Sequence, residues 1–199
     1  MKFNETLIAG EFIKRYKRFF VDVKIGNEKV VAHCPNTGSM MGLTKKGNNV
    51  WLSKSNNPKR KLKYTLQIIE DQKTKVGINT HLTNKIVFDA LRKRKIKNFK
   101  YLDKIQQEVK FGKNTRFDFL ITEKNKKTFI EVKNVTLSRQ NEIAEFPDAI
   151  TSRGLKHIQE LLKAKKKGFE IYLFFVIQRD DCSQFELAKD IDPEYCELL

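Results

Sequence analysis

Cysteine is scarce in this 199-residue chain: Cys34, Cys182 and Cys196 are the only three, they lie far apart, and none forms a C-x-x-C pair. That excludes a disulfide framework and a structural zinc site, and it fits a reducing compartment, so a cytoplasmic location is expected. Neither Cys34 nor His33 beside it has another Cys or His at finger-like spacing. Long apolar runs are also missing. The longest, Ile171 to Ile177, has seven residues, against the ~20 that a spanning helix requires, so no membrane partner is expected. Glu5 and Glu11 interrupt the stretch that a signal peptide would keep apolar, and no export signal is read. There is no internal repeat, no low-complexity segment and no signal of an oligomeric state. Negative charge is in short supply too: 24 Asp plus Glu face 40 Lys plus Arg, for a formal charge of +16. That excludes an acidic activation-type chain, while 40% hydrophobic residues, with 15 Phe among all aromatics, exclude a disordered one.

What is present divides near residue 80. The length allows one large domain or two small ones, each able to bury a core, and two are expected, over 1–80 and 81–199. In the first, period-two alternation marks strands at Arg18 to Ile25 and Lys29 to His33, joined at Gly26-Asn27, then at Val50 to Ser53, Tyr64 to Glu70 and Val76 to Ile78. Five or so short strands point to a small OB-like barrel. In the second, Thr80 can cap a helix to about Arg94 that carries Leu82, Ile86, Val87, Ala90 and Leu91 on one face. Strands follow at Ile105 to Phe111, Phe117 to Ile121 and Thr128 to Val135. A helix from Thr151 to Lys167 ends at Gly168, and a buried strand, Ile171 to Ile177, comes last. The expected class is α+β. Residues 1–85 hold 17 basic against 6 acidic side chains, a net +11, so most of the excess charge lies in the barrel. A basic barrel is a common platform for oligonucleotides, which makes nucleic acid, DNA first, the expected partner. The plainer reading is a basic surface without a specific partner.

The strongest chemical pattern is Arg116-Phe117-Asp118-Phe119-Leu120, with Glu131 thirteen residues after the aspartate in Phe129-Ile130-Glu131-Val132-Lys133-Asn134-Val135. Alternation puts Glu131 and Lys133 on one face of a strand, with Ile130 and Val132 on the other, and a hairpin register can set Asp118 opposite Glu131. Two carboxylates can then hold a hard cation, Mg²⁺ or Mn²⁺, that binds phosphate oxygens and activates a water, with Lys133 stabilising negative charge. The same residues can also form a simple cross-strand ion pair.

A resemblance accompanies these residues. The chain is similar to the sugar fermentation stimulation protein A family through Ala32 to Met40, Asn57-Pro58-Lys59-Arg60, Gly77-Ile78-Asn79-Thr80, Arg116 to Leu120, Glu131 to Leu137, Phe146-Pro147-Asp148-Ala149, Thr151 with Arg153-Gly154 and Lys156-His157, and Ile191-Asp192-Pro193. The resemblance implies an N-terminal OB-like barrel and a C-terminal PD-(D/E)xK restriction-endonuclease-like domain with a central mixed sheet. It also implies DNA binding linked to regulation of sugar-metabolism genes, and nuclease activity by inference from the fold. Asp118, Glu131 and Lys133 take the positions of the motif's catalytic residues, and Asp118 and Glu131 those of its metal ligands. The first helix supplies no Glu and only Asp89, so Glu108 or Asn84 would have to stand in for a further acidic residue. The resemblance also implies a further segment beyond Ile191-Asp192-Pro193.

Other candidates lie around this pattern. Arg153 and His157 are four apart on the second helix and thus on one face, where they can contact a phosphate; His157 can equally be a partly buried polar residue at a helix boundary. Gln178, at the end of the last strand, is a weaker candidate. Thr37 and Ser39 in Pro35-Asn36-Thr37-Gly38-Ser39 can donate to phosphates or serve ordinary turn chemistry. Lys59, Arg60 and Lys61 form a solvent-facing cluster that, with Trp51, can combine phosphate contact and base stacking, although a lone Trp is more often core.

Overall fold

The computed structural model describes Phe3 and residues 5–199. The strands and helices run β1 (Ile8–Tyr16), β2 (Phe20–Ile25), β3 (Glu28–His33), β4 (Asn49–Lys54), β5 (Tyr64–Asp71), β6 (Thr74–Gly77), α1 (Thr80–Arg92), β7 (Lys104–Phe111) and β8 (Thr115–Glu123). They continue with β9 (Lys126–Val135), β10 (Leu137–Gln140), β11 (Glu142–Phe146), α2 (Ser152–Lys166), β12 (Glu170–Ile177), β13 (Cys182–Leu187) and α3 (Pro193–Leu198). Among the described residues no helix is long and apolar enough to cross a membrane. Contacts divide the chain into two units: Met1–His81, Val135–Ala149 and Ile177–Ala188 form the first, and Leu82–Asn134, Ile150–Val176 and Lys189–Leu199 the second. The units interleave, so residues 135–149 and 177–188, read from sequence with the second domain, cluster with the first.

In the first unit the strand order is β3-β2-β1-β4-β5-β6, and a parallel pairing of β3 with β5, Ala32 with Tyr64 and His33 with Thr65, closes five strands into a barrel. Its interior is filled by Phe12, Val21, Val23, Val50, Leu52, Leu66 and Ile69, with Met40 and Leu43 entering from the β3–β4 loop. Alternation in β2 and β4 made those strands readable; β1 was missed because IAGEFIKRY has charged residues at three of nine positions and only Phe12 buried. The expected strand beginning at Arg18 starts instead at Phe20, because Lys17 to Phe19 form the turn out of β1. A register shift between Phe12 and Lys14 bends β1 across the barrel. Close approach at this bend explains Gly10, where a Cβ would lie 2.6 Å from Val23 Cγ1 and 2.8 Å from the Lys24 carbonyl. The unit also contains a three-stranded sheet, β10-β11-β13, in which β11 and β13 are parallel. These strands are short and polar and give little alternation. Arg139 holds the buried Glu145 within it, with Nη2 to Oε1 at 2.6 Å.

The second unit is a four-stranded sheet of order β12-β9-β8-β7. Phe119, Ile121 and Ile130 pack with Val87 and Leu91 of α1, while Phe117, Phe129 and Phe111 pack with Leu161 and Ala164 of α2, so a helix covers each face. Strand β12 sends Tyr172, Phe174 and Val176 to the α1 side and Ile171 and Leu173 to the α2 side. Burial on both faces is why it reads as an unbroken apolar run. Thr80 does not cap α1 but is its first residue; Asn79 Oδ1 accepts from the His81 N–H at 3.1 Å. In α2, Thr151 caps as its position predicts, accepting from the Gly154 N–H at 3.0 Å, and Gly168 leaves the helix at φ +87°.

Gly10→Ala is expected to lower stability by about 1–3 kcal/mol, because the new methyl cannot be placed without moving backbone. The shift of the urea midpoint at unchanged slope measures it.

Candidate active site

The β8–β9 ladder runs from Glu123 with Lys126 to Phe119 with Ile130 and stops there. Asp118 and Glu131 are the next residues on the two strands. Where the ladder stops, the Val132 N–H has lost its strand partner, and it donates to Asp118 Oδ2 at 2.7 Å. Asn84 of α1 donates to the other oxygen, Oδ1, at 2.7 Å. Asp118 also marks a change of face: Phe119 and Ile121 point to the α1 side, whereas Phe117 points to the α2 side. The β7–β8 register passes from Gln107 with Phe119 to Val109 with Phe117, and Glu108 between them stands at φ +52°, rare for a non-glycine residue within a strand. Burial and then the charge of Glu131 push Asp118 up to about 6.

Glu131 is 4% exposed. Its Oε1 accepts from Lys133 Nζ at 2.8 Å and meets His157 Nδ1 in a second close contact, while Oε2 is buried and has no hydrogen-bond partner among the described residues. Burial works to raise its pKa, but His157 and Lys133 outweigh that and hold the carboxyl below its ordinary value. Two cation-capable groups on one oxygen leave the other with unspent acceptor capacity.

His157 reaches this oxygen because α2 is tightly placed. Asp192 accepts from the Thr151 N–H through Oδ2 at 2.8 Å and from the Tyr195 N–H through Oδ1 at 3.1 Å, joining the start of α2 to the start of α3. At Gly154 a Cβ would lie 2.8 Å from the Thr151 side chain and 3.0 Å from Tyr195 Cε2, so only glycine lets the helices approach this closely. Tyr195 is fully buried, and burial followed by the Glu131 charge raises its phenol. On the α1 side, Thr83 Oγ1 donates to Asn134 Oδ1 at 2.7 Å.

The second unit thus brings together Asp118, Glu131, Lys133 and His157, with Arg153 exposed one turn earlier on α2. Sequence reasoning gave Asn84 only as a stand-in for an acid and missed Tyr195 and the role of Asp192. Asp before Pro at a helix start is a capping signature that could have found the latter. Gln178 belongs to the first unit, where its N–H donates to the Val135 carbonyl and its own carbonyl accepts from Gly77.

The remaining candidates also lie in the first unit. The turn bearing Thr37 and Ser39 is held by Arg15, whose guanidinium donates to the carbonyls of Asn36, Gly38 and Ser39 at 2.7, 3.0 and 3.1 Å. Ser39 Oγ donates to the Asp148 carbonyl at 2.6 Å, and the Met40 N–H to Asp148 Oδ2 at 3.0 Å, so Ser39 is engaged while Thr37 is exposed. Lys59 and Lys61 are exposed on the β4–β5 loop, and Arg60 Nη2 donates to Thr65 Oγ1 at 2.6 Å. Trp51 is half-buried, with Lys75 Nζ 4.7 Å from its ring centre.

Two family models match. The SfsA N-terminal OB domain matches residues 13–78 and the Sugar fermentation stimulation protein RE domain residues 81–199. The chain belongs to the sugar fermentation stimulation protein family. It is 56% identical to a sugar fermentation stimulation protein homolog of Pelagibacter ubique over 197 residues, covering 99% of this chain and 85% of that one. It is 44% identical to the Bdellovibrio bacteriovorus homolog, covering all of this chain and 86% of the other. The structure of Pyrococcus furiosus SfsA in complex with Ca²⁺ superposes with a TM-score of 0.91 at 28% identity, over 100% of this chain and 84% of that one. The OB barrel and the α+β fold are those of the SfsA family.

Chemically, the site offers two carboxylates of unequal character. Asp118 accepts one hydrogen bond on each oxygen and is reluctant to ionise; Glu131 ionises more readily than usual and has one oxygen without a hydrogen-bond partner among the described residues. Because the folded-state pKa of Asp118 lies above its ordinary 3.8, the folded state holds an extra proton between that value and about 6, and stability falls as pH rises through this window. The Asp118 carboxyl carbon should therefore titrate near 6 in a ¹³C NMR pH series, with the resonance identified by its loss in Asp118→Asn. A midpoint at or below 4 would contradict the assigned environment. Asp192→Ala should lower stability by about 1–3 kcal/mol, since it removes a cap and strands two N–H donors; urea unfolding measures it.

Proposed function

We propose that this SfsA-family protein binds DNA and hydrolyses phosphodiester bonds with a divalent metal ion, Mg²⁺ or Mn²⁺, held by Asp118 and Glu131. The observation that carries the reading is the buried Glu131 Oε2, without a partner beside a second carboxylate of raised pKa. Hard cations take oxygen ligands, and Mg²⁺ is commonly held by one or two carboxylates with water and phosphate oxygens completing its shell. The donor set is smaller than a full protein cage: among the described residues no group of three or more His, Cys, Asp or Glu stands so that it could hold a metal ion, and Asp118 and Glu131 would supply two carboxylates to a shell completed by water and phosphate. The Pyrococcus furiosus relative in complex with Ca²⁺, also an oxygen-seeking ion, supports the same choice.

When bound, the metal would lower the pKa of a water and polarise a phosphate oxygen. Lys133 keeps Glu131 ionised and stands where its ammonium can turn to charge developing on the phosphate. His157 holds Glu131 Oε1, so that the second oxygen keeps one direction. Asn84 and the Val132 N–H fix the plane of Asp118. Arg153, exposed one turn before His157, and Lys59, Arg60, Lys61 and Thr37 of the first unit are proposed to contact phosphates, which contributes affinity without sequence information. A cytoplasmic setting belongs to the same proposal, supported by three free thiols.

One observation favours a second reading, a regulator that binds DNA without cleaving it. The side chain that α1 presents to Asp118 is the neutral Asn84, so the site carries less negative charge for a metal than a third carboxylate would give.

Purified protein should cut labelled DNA in Mg²⁺ or Mn²⁺ and not in EDTA. Asp118→Ala and Glu131→Gln should each reduce the rate at least ~10²-fold, and Lys133→Ala by ~10²–10³-fold, with DNA affinity in EDTA retained. Salt-sensitive binding with no cleavage of single- or double-stranded DNA or RNA in any metal establishes the regulator instead.

A further inference from the structure

We propose that the β1–β2 turn and the β3–β4 loop of the barrel form a contact for single-stranded nucleic acid, with a basic groove for the sugar-phosphate chain and exposed rings for the bases. The proposal rests on the nucleic-acid-binding reading above and adds the place, the residues and the strandedness. The groove has a volume of about 430 Å³, enough for a nucleotide unit, and is lined by Lys14, Arg15, Tyr16, Lys17, Arg18 and Lys46 with no acidic residue. Arg15 is already engaged: it donates to the carbonyls of Arg18, Asn36, Gly38 and Ser39 and ties the β1–β2 turn to the β3–β4 loop. Lys17, Arg18 and Lys46 form no ion pair with a carboxylate among the described residues, while Lys14 lies opposite Asp22 and over the Tyr16 ring, 5.6 Å from its centre. The nearby carboxylate, Asp22, is taken by Lys29 at 2.8 Å.

The turn itself is unusual. Lys17 and Arg18 stand at φ +48° and +61°, the left-handed region that glycine enters freely and L side chains enter at a cost. A tight connection between antiparallel strands asks for this backbone, and here it carries two long cations at consecutive positions where glycine or asparagine would fold more easily. Next to them Phe19 is 46% exposed and Tyr16 36% exposed, and Tyr16 stacks on Phe20 with centroids 5.5 Å apart and planes at 14°. Exposed rings beside unpaired cations match the chemistry of a splayed strand, whose bases have free faces to stack; a duplex keeps its bases stacked on each other and offers this turn only phosphates.

The test is anisotropy of labelled oligothymidylate and oligouridylate of about 12 nucleotides, and of a matching duplex, with the full chain in EDTA across a salt series. Lys17→Gly with Arg18→Gly removes both charges and relieves the turn. It should raise the melting temperature while weakening single-strand binding at least ~10-fold and flattening the log K against log salt slope by about 1.4, at ~0.7 for each charge removed. Phe19→Ala should weaken binding by ~5-fold or more with the slope unchanged. Wild-type affinity in both variants, while Lys59→Glu weakens binding, overturns the assignment and leaves nucleic-acid binding standing. Equal or tighter binding of duplex, insensitive to Phe19→Ala, overturns the single-strand reading. Absence of any binding by the unaltered chain overturns both.

Discussion

A carboxylate at 4% exposure on the middle of a sheet is the constraint around which the second unit is arranged. Desolvating Glu131 would cost several kcal/mol if it were left alone. The chain answers with Lys133 from two residues along the same strand and His157 from α2, both on Oε1. Lys133 comes with the period-two pleat, but His157 comes only if α2 lies at one height and rotation. Thr151 capping Gly154, Asp192 bridging Thr151 and Tyr195, and the absent Cβ of Gly154 all act on that placement. Residues scattered from 131 to 195 thus serve one charged oxygen. The partner oxygen receives no hydrogen bond among the described residues, and the contacts to Oε1 are what keep the group ionised for whatever Oε2 is to meet.

Asp118 shows the complementary device. A strand that ended cleanly at Phe119 would leave the Val132 N–H buried without an acceptor, a loss of about 1–3 kcal/mol. The Asp118 side chain takes the role of the missing backbone carbonyl, and its second oxygen is occupied by Asn84. Both bonds favour the ionised form, yet burial and the Glu131 charge prevail and raise the pKa to about 6. Neighbouring carboxylates thus divide the work, one held by Lys133 and His157 on a single oxygen, the other by neutral donors on both. A cation between them would remove the repulsion that raises Asp118, which supports the proposal of an oxygen-seeking metal there.

That Asp118, Glu131 and Lys133 come together was legible in sequence because they sit on neighbouring strands, and β8 and β9 pair in the register that spacing allows. The face on which Asp118 lies was not legible. Strict alternation would set Phe117 with Phe119, whereas Phe117 joins Phe129 and Leu161 on the other side of the sheet. Strands β10, β11 and β13 were missed for a related reason: they are short, polar and stabilised by partners such as Arg139 and Glu145 whose pairing is not written in local periodicity. Strand β1 was missed because its charged residues are the barrel's outer face, and only Phe12 reports the inner one. The interleaving of the two units depends on contacts between segments far apart in sequence, and no composition shift at residue 80 contains it.

The left-handed residues show how conformation and chemistry can be separated. Gln72 and Lys124 occupy two-residue connections between antiparallel strands, where a positive φ is the ordinary requirement of the turn. Glu108 is different, since it lies inside β7, where no turn demands it. Its neighbours Gln107 and Val109 pair across β8 with Phe119 and Phe117, the two residues that flank Asp118. The backbone irregularity on β7 and the change of face on β8 are therefore one distortion shared by two strands. Such a distortion costs about 1–3 kcal/mol and persists only where the surrounding packing over-determines it. The aromatic cluster of Phe111, Phe117 and Phe129, with centroids 4.9–5.4 Å apart, supplies that packing. By drawing Phe117 to the α2 side, the cluster breaks the alternation at Asp118 and leaves its carboxylate to answer the Val132 N–H, so the geometry of the candidate site follows from the packing of three phenylalanines on the far side of the sheet from α1.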